Sequence, residues 1–100
     1  MEELIGLDVI SISAPQDRSE FTMRVIDENR KIKNIRFAND DGTQIKVDFS
    51  HVSLNIIYDH EGNIASLGEL EAVNRIENGF EIVGDFGIVW LECKECTPAM

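Results

Sequence analysis

Cysteine, proline and basic side chains are all scarce in this chain of 100 residues, and each scarcity removes a class of protein. Only Cys93 and Cys96 occur, both near the C-terminus, whereas a disulfide framework needs more cysteines spread along the chain. Two prolines and seven glycines form no low-complexity tract, repeat or linker. Long apolar runs are missing too, since none approaches the roughly 20 residues that cross a bilayer. Met1-Glu2-Glu3 is the reverse of a basic leader, and the apolar stretch after it is broken by Gly6 and Asp8. A cytoplasmic location with reduced thiols is the expectation.

Positive charge is the largest deficit. Nine Lys and Arg stand against nineteen Asp and Glu, a formal net charge of -10. The range that favours solubility in a small domain is about 2–8 in magnitude. Such a field repels nucleic acid and anionic lipid, both of which bind through neutralised phosphates, and it favours a basic protein surface. Solubility alone is the competing explanation.

What is present reads as one domain over residues 1–100. Hydrophobic residues at 43% and charged residues at 28% are ordinary globular usage. A chain of this size buries about 65% of its surface, enough for one core. Period-2 alternation dominates. It predicts strands over 5–13, closed by Pro15, over Phe21 to Ile26, around Ile32 to Phe37, and over Ile45 to Phe49. Asp27 to Arg30 and His60 to Asn63 read as turns, and Asn39-Asp40-Asp41-Gly42 is the strongest turn signal, because Asp-Gly supplies the positive φ of a tight hairpin. Val52 to Tyr58 is apolar enough to predict burial on both faces. Ile64, Leu67, Leu70 and Val73 recur every three residues, which favours a short helix over 64–74, although Gly68 costs it roughly 1 kcal/mol. Phe80 to Val83, a Gly84 to Gly87 turn, and Ile88 to Cys93 close the chain, with Trp90 expected to anchor the core. The residues after Cys93 read as a tail that frays. The expected fold is mainly β, an antiparallel sheet forming a small barrel or sandwich, with at most one short helix near 64–74.

The catalytic vocabulary is thin. Cys93-Lys94-Glu95-Cys96 has redox spacing, but it follows the last strand rather than opening a helix, and Glu92 and Glu95 would raise the thiol pKa. Zinc needs four ligands, and His51 and His60 supply the wrong spacing for the other two. Cys93 is expected as a small core residue and Cys96 as an exposed thiol. Ser50 and Ser53 flank His51 on a strand edge without a recognisable triad, so both histidines read as surface residues. Asp85-Phe86-Gly87 spells a kinase triplet in a chain lacking that fold's other motifs, and it reads as a hairpin turn. No phosphate-binding glycine loop occurs, and Asp40-Asp41-Gly42 lacks calcium-loop spacing. Paired carboxylates for glycoside chemistry abound, yet so small a β domain rarely encloses the cleft they need. No enzyme, no metal and no cofactor are expected.

Charge is uneven along the chain. Residues 1–46 hold nine acids and seven bases, and residues 47–100 hold ten acids against Arg75 and Lys94. Arg24, Arg30, Lys31, Lys33 and Arg36 form a basic cluster in the first half, so the molecule is expected to be dipolar. Glu69, Glu71, Glu77, Glu81 and Asp85 are the expected contacts for a basic partner, with Asp59 and Glu61 at the rim. Carboxylates there would mimic phosphates and steer encounter. Two other readings compete: a homodimer joined through exposed strand edges, and a small-ligand site inside a barrel.

The strand pattern of Ile5 to Ile12, Phe21 to Ile26, Ile45 to Val52, Asn55 to Asp59 and Gly87 to Cys93 resembles small β-rich bacterial immunity proteins of polymorphic-toxin or contact-dependent-inhibition systems. That resemblance implies a cytoplasmic inhibitor that blocks a toxin, often a nuclease, by direct binding and without catalytic residues. Phage anti-CRISPR proteins look similar, being small, acidic inhibitors of nucleic-acid-binding enzymes.

Overall fold

Alternation becomes strand wherever one face can be buried. In β2 (Phe21–Ile26), Phe21, Met23 and Val25 are fully buried while Thr22, Arg24 and Ile26 face the other way. The computed structural model of the chain describes residues 2–17, 19–53, 56–58, 60–93 and 98–99. Within them a 3-10 turn (Glu2–Leu4) precedes β1 (Asp8–Ser13), β2, β3 (Ile32–Phe37), β4 (Lys46–Val52), β5 (Ile57–Tyr58), β6 (Ile64–Ser66), β7 (Leu70–Ile76), β8 (Gly79–Gly84) and β9 (Gly87–Glu92). All pairings are antiparallel, in a three-stranded sheet β1-β2-β3, a four-stranded sheet β4-β9-β8-β7 and a two-stranded ribbon β5-β6.

The two larger sheets face each other across one core, as a sandwich. Phe37 of β3 meets Phe80 of β8 edge-on at 5.2 Å, and Phe21 of β2 lies 6.1 Å from Phe49 of β4. Met23, Ile35, Ile82, Val89 and Leu91 fill the space around them. Along one side β1 shares a backbone seam with the link between β6 and β7: the Val9 amide donates to the Gly68 carbonyl at 2.8 Å, and the Leu67 amide to the Val9 carbonyl at 2.7 Å. Among the described residues no sheet closes on itself, so the sandwich form of the expectation is the one realised. No helix among them is long and apolar enough to cross a membrane.

Four sequence readings change. The three-residue spacing of Leu67, Leu70 and Val73 reflects strand irregularity, and no helix forms over 64–74. Gly68, at φ 101, bends the chain between β6 and β7, and a Cβ there would overlap Asp85. One extra residue, Glu71, then sits between the pairs Leu70–Gly84 and Ala72–Val83, so Leu70 and Val73 both turn inward. The Asn39–Gly42 turn forms, with φ 78 at Gly42, but it passes the chain between sheets and joins no hairpin. The run Val52 to Tyr58 is not buried on both faces: Ile57 and Tyr58 are 55% and 60% exposed, because among the described residues β5 pairs with β6 alone, in a two-stranded ribbon. Trp90 does not anchor the core; it lies half-buried on the outer face. The remaining readings in this region hold. Gly84–Gly87 is a hairpin turn, Cys93 is buried, and Cys96 lies outside the described residues.

Candidate functional site

Strand parity decides which side chains reach the outer face of the four-stranded sheet. Val89 and Leu91 face the core, so Trp90 and Glu92 between and beyond them face out. The cross-strand register then lines up Asn74 on β7, Glu81 on β8, Trp90 on β9 and Asp48 on β4 as one row. The next row holds Ile76, Gly79, Glu92 and Lys46. Gly79 contributes no side chain to it and tolerates none, since a Cβ would overlap the Leu91 carbonyl oxygen.

Trp90 is held from two sides. Its indole Nε1–H donates to Glu81 Oε2 at 3.0 Å, and the amide of Asn74 donates to Glu81 Oε1 at 3.3 Å. On the β4 side, the ring of His51 meets the indole edge-on, 4.6 Å between centroids. His51 reaches this face because β4 carries a bulge between Asp48 and His51, which puts both residues on the same side. The bulge is pinned by Asp48, whose Oδ1 accepts from the Ser50 hydroxyl at 2.5 Å and the Ser50 amide at 2.8 Å. Those bonds, with the Ser50 hydroxyl first, hold the Asp48 carboxyl below its ordinary range, and His51 adds to the effect.

Beside this row runs an open groove of about 470 Å³, lined by Trp90, Ile76 and Leu91 together with Asp48, Glu77, Glu92 and Lys46. Three carboxylates there meet one ammonium. Lys46 Nζ lies 3.8 Å from Glu92 Oε1 with both side chains well exposed, a pair of little energetic weight.

The residues expected to meet a partner do not share one place. Glu77 lies on the groove's rim and Glu81 beneath Trp90. Glu69 and Asp85 come together at the opposite end of β8, roughly 17 Å away by strand rise. There the Glu69 amide donates to Asp85 Oδ2 at 2.9 Å and the Asp85 amide to the Glu69 carbonyl at 3.1 Å. Part of the Asp85 carboxylate is therefore spent on its own fold. Glu71, at the β7 bulge, shares a separate groove with Glu2 and Ile5. Glu61 is exposed in the turn between β5 and β6, and Asp59 lies outside the described residues.

The sequence reading missed Asp48, Glu92, His51 and Trp90 as neighbours. Parity in 88–93 carried part of the signal, because Cys93, Leu91 and Val89 share one face and Glu92 marks the other. Nothing in the sequence marks the β4 bulge, which brings in His51.

The basic cluster occupies the other sheet. Arg24 and Arg36 lie on its outer face, with Arg30 and Lys31 at the β2–β3 turn. The Arg24 guanidinium donates to Asn34 Oδ1 at 3.1 Å, and Arg36 pairs with Glu20. Arg75, the counter-charge of the acidic half, lies 5.0 Å over the Phe80 ring. Among the described residues no group of three or more His, Cys, Asp and Glu is placed to hold a metal ion. No protein-family model, curated protein or solved structure matches the chain.

Proposed function

We propose that this chain is an acidic protein-binding inhibitor, of the immunity type, that neutralises a basic, nucleic-acid-acting partner by direct contact. One observation carries the reading: the charge excess is segregated by sheet. Strands β4, β7, β8 and β9 and their turns carry Asp48, Glu69, Glu71, Glu77, Glu81, Asp85 and Glu92 against Lys46 and Arg75. Strands β1 to β3 and the residues joining them carry Arg18, Arg24, Arg30, Lys31, Lys33 and Arg36 beside Asp8, Asp17, Glu20, Asp27 and Glu28, a near balance. A basic surface approaching such a dipole is turned toward the four-stranded sheet before contact. Steering of this kind lifts association above the neutral range of about 10⁵–10⁶ M⁻¹s⁻¹ and weakens with salt.

The test takes as candidate partner a basic nuclease, sought first among the products of neighbouring reading frames. Its nuclease activity should fall on adding one equivalent of this protein. Association measured by stopped flow should slow at least tenfold between about 50 and 300 mM salt. A nuclease that works undiminished, or a rate indifferent to salt, refutes the reading.

A further inference from the structure

We infer that the groove beside Trp90 takes an arginine side chain from a basic protein partner. The inference rests on the acidic-inhibitor reading and names where that partner is gripped. A ring of carboxylates alone would attract any cation; this groove adds an aromatic ring and the apolar side chain of Ile76. Trp90 lines it, with Ile76 at 38% exposure beside it. Asp48, Glu77 and Glu92 supply acceptors around the same space, from β4, the β7–β8 turn and β9. Its volume of about 470 Å³ admits a long side chain with neighbouring backbone atoms.

The chemistry matches guanidinium better than ammonium. A guanidinium is planar and weakly hydrated, stacks on an indole, and presents five donors in a fixed fork that can engage two carboxylates at once. An ammonium is a compact, strongly hydrated point charge that forfeits more hydration on entering an aromatic-lined groove. The site is also held in shape before any partner arrives. Glu81 and His51 fix the indole from two sides, and the Ser50 hydroxyl orients the Asp48 carboxylate. A pre-formed anchor loses little side-chain freedom on binding. Lys46 already occupies the rim as an internal cation opposite Glu92. Removing it with Lys46→Gln should strengthen binding.

Trp90 is the only tryptophan, so its emission reports on this groove. The experiment titrates the full chain with hexa-arginine, with hexa-lysine and with a neutral glycine-serine hexapeptide. Hexa-arginine should shift the Trp90 emission saturably and bind roughly fivefold more tightly than hexa-lysine, and the neutral peptide should leave the signal still. The triple variant Asp48→Asn, Glu77→Gln, Glu92→Gln should weaken hexa-arginine at least tenfold. The equal charge change at the far end, Glu69→Gln, Glu71→Gln, Asp85→Asn, should weaken it less. Circular dichroism confirms that each variant keeps its β spectrum, and the Asn at 48 keeps an acceptor for Ser50.

Equal weakening by the two triples, an unmoved Trp90 signal, or hexa-lysine binding as tightly as hexa-arginine overturns the groove. Any of these can occur while the partner nuclease is still inhibited, so the groove can fail with the inhibitor reading intact. Conversely, hexa-arginine seated in the groove beside an uninhibited nuclease would refute the inhibitor reading alone.

Discussion

Removing Glu81 tests whether that carboxylate serves the fold or faces outward to a partner. Its Oε2 accepts from the Trp90 indole at 3.0 Å, and its Oε1 accepts from Asn74 at the longer distance of 3.3 Å. Hydrogen bonds to charged groups contribute about 1.5–3 kcal/mol when well buried. Both Glu81 and Trp90 are half-buried, so water competes, and about 1 kcal/mol is the expected share of the Trp90 bond. The measurement is a double-mutant cycle of Glu81→Ala with Trp90→Phe, followed by urea denaturation under circular dichroism. A coupling energy of about 1 kcal/mol is expected, and the Glu81→Ala midpoint should fall by about 0.3–1 M urea. In Glu81→Ala the indole N–H turns to water, so Trp90 emission should move to the red. Glu81→Gln keeps an acceptor and should lose less. A coupling below about 0.3 kcal/mol is within the error of additive effects and would refute the bond. Glu81 would then be a surface acid available to a partner.

Two further outcomes bear on the fold and the site's charge. Phe37 is fully buried between the sheets, against Phe21 at 6.0 Å and Phe80 at 5.2 Å, so Phe37→Ala should cost about 3–5 kcal/mol in urea denaturation; a cost under about 1 kcal/mol would mean the sheets do not close on it. In Ser50→Ala, Asp48 loses its strongest donor, and its carboxyl, followed by carbon-13 NMR, should titrate at higher pH than in the parent. The sign follows from linkage. A depressed carboxyl stabilises the fold above its unfolded value of 3.8 and loses that contribution as pH falls through the lowered folded value. Ser50→Ala should therefore lower stability above that unfolded value and flatten the acid limb, the variant and parent converging as pH falls, and an unchanged Asp48 titration would refute the assignment.

Much of the strand order was legible because burial on one face leaves a period of two. Phe21 to Ile26 is the clearest case, with its strand ends matching the alternation. The Asp27 to Arg30 turn was legible for a similar reason: Asp27 Oδ1 accepts the amides of Asn29 and Lys31, both at 2.9 Å, a local bond that needs nothing distant. Two of the errors share one cause. At Glu71 and between Asp48 and His51 a bulge inserts a residue into a strand, and the side-chain spacing changes from two to three. Around Leu70 that spacing imitates a helix. Around Asp48 it hides a neighbour.

The sequence by itself determined that this chain is acidic and mainly β, with its negative excess in the second half. Composition, alternation and local turn chemistry suffice for that, because each acts over a few residues. Only the tertiary structure decided which carboxylates share a surface. Neighbours in the string, Glu77 and Glu81, reach Trp90 and its groove, while Glu69 and Asp85, sixteen positions apart, meet at the far end of the sheet. Asp48 and Glu92 join the first group although no local pattern links them. Strand pairing brings distant residues within a few ångströms and sends adjacent ones to opposite faces, and register is a property of the whole sheet.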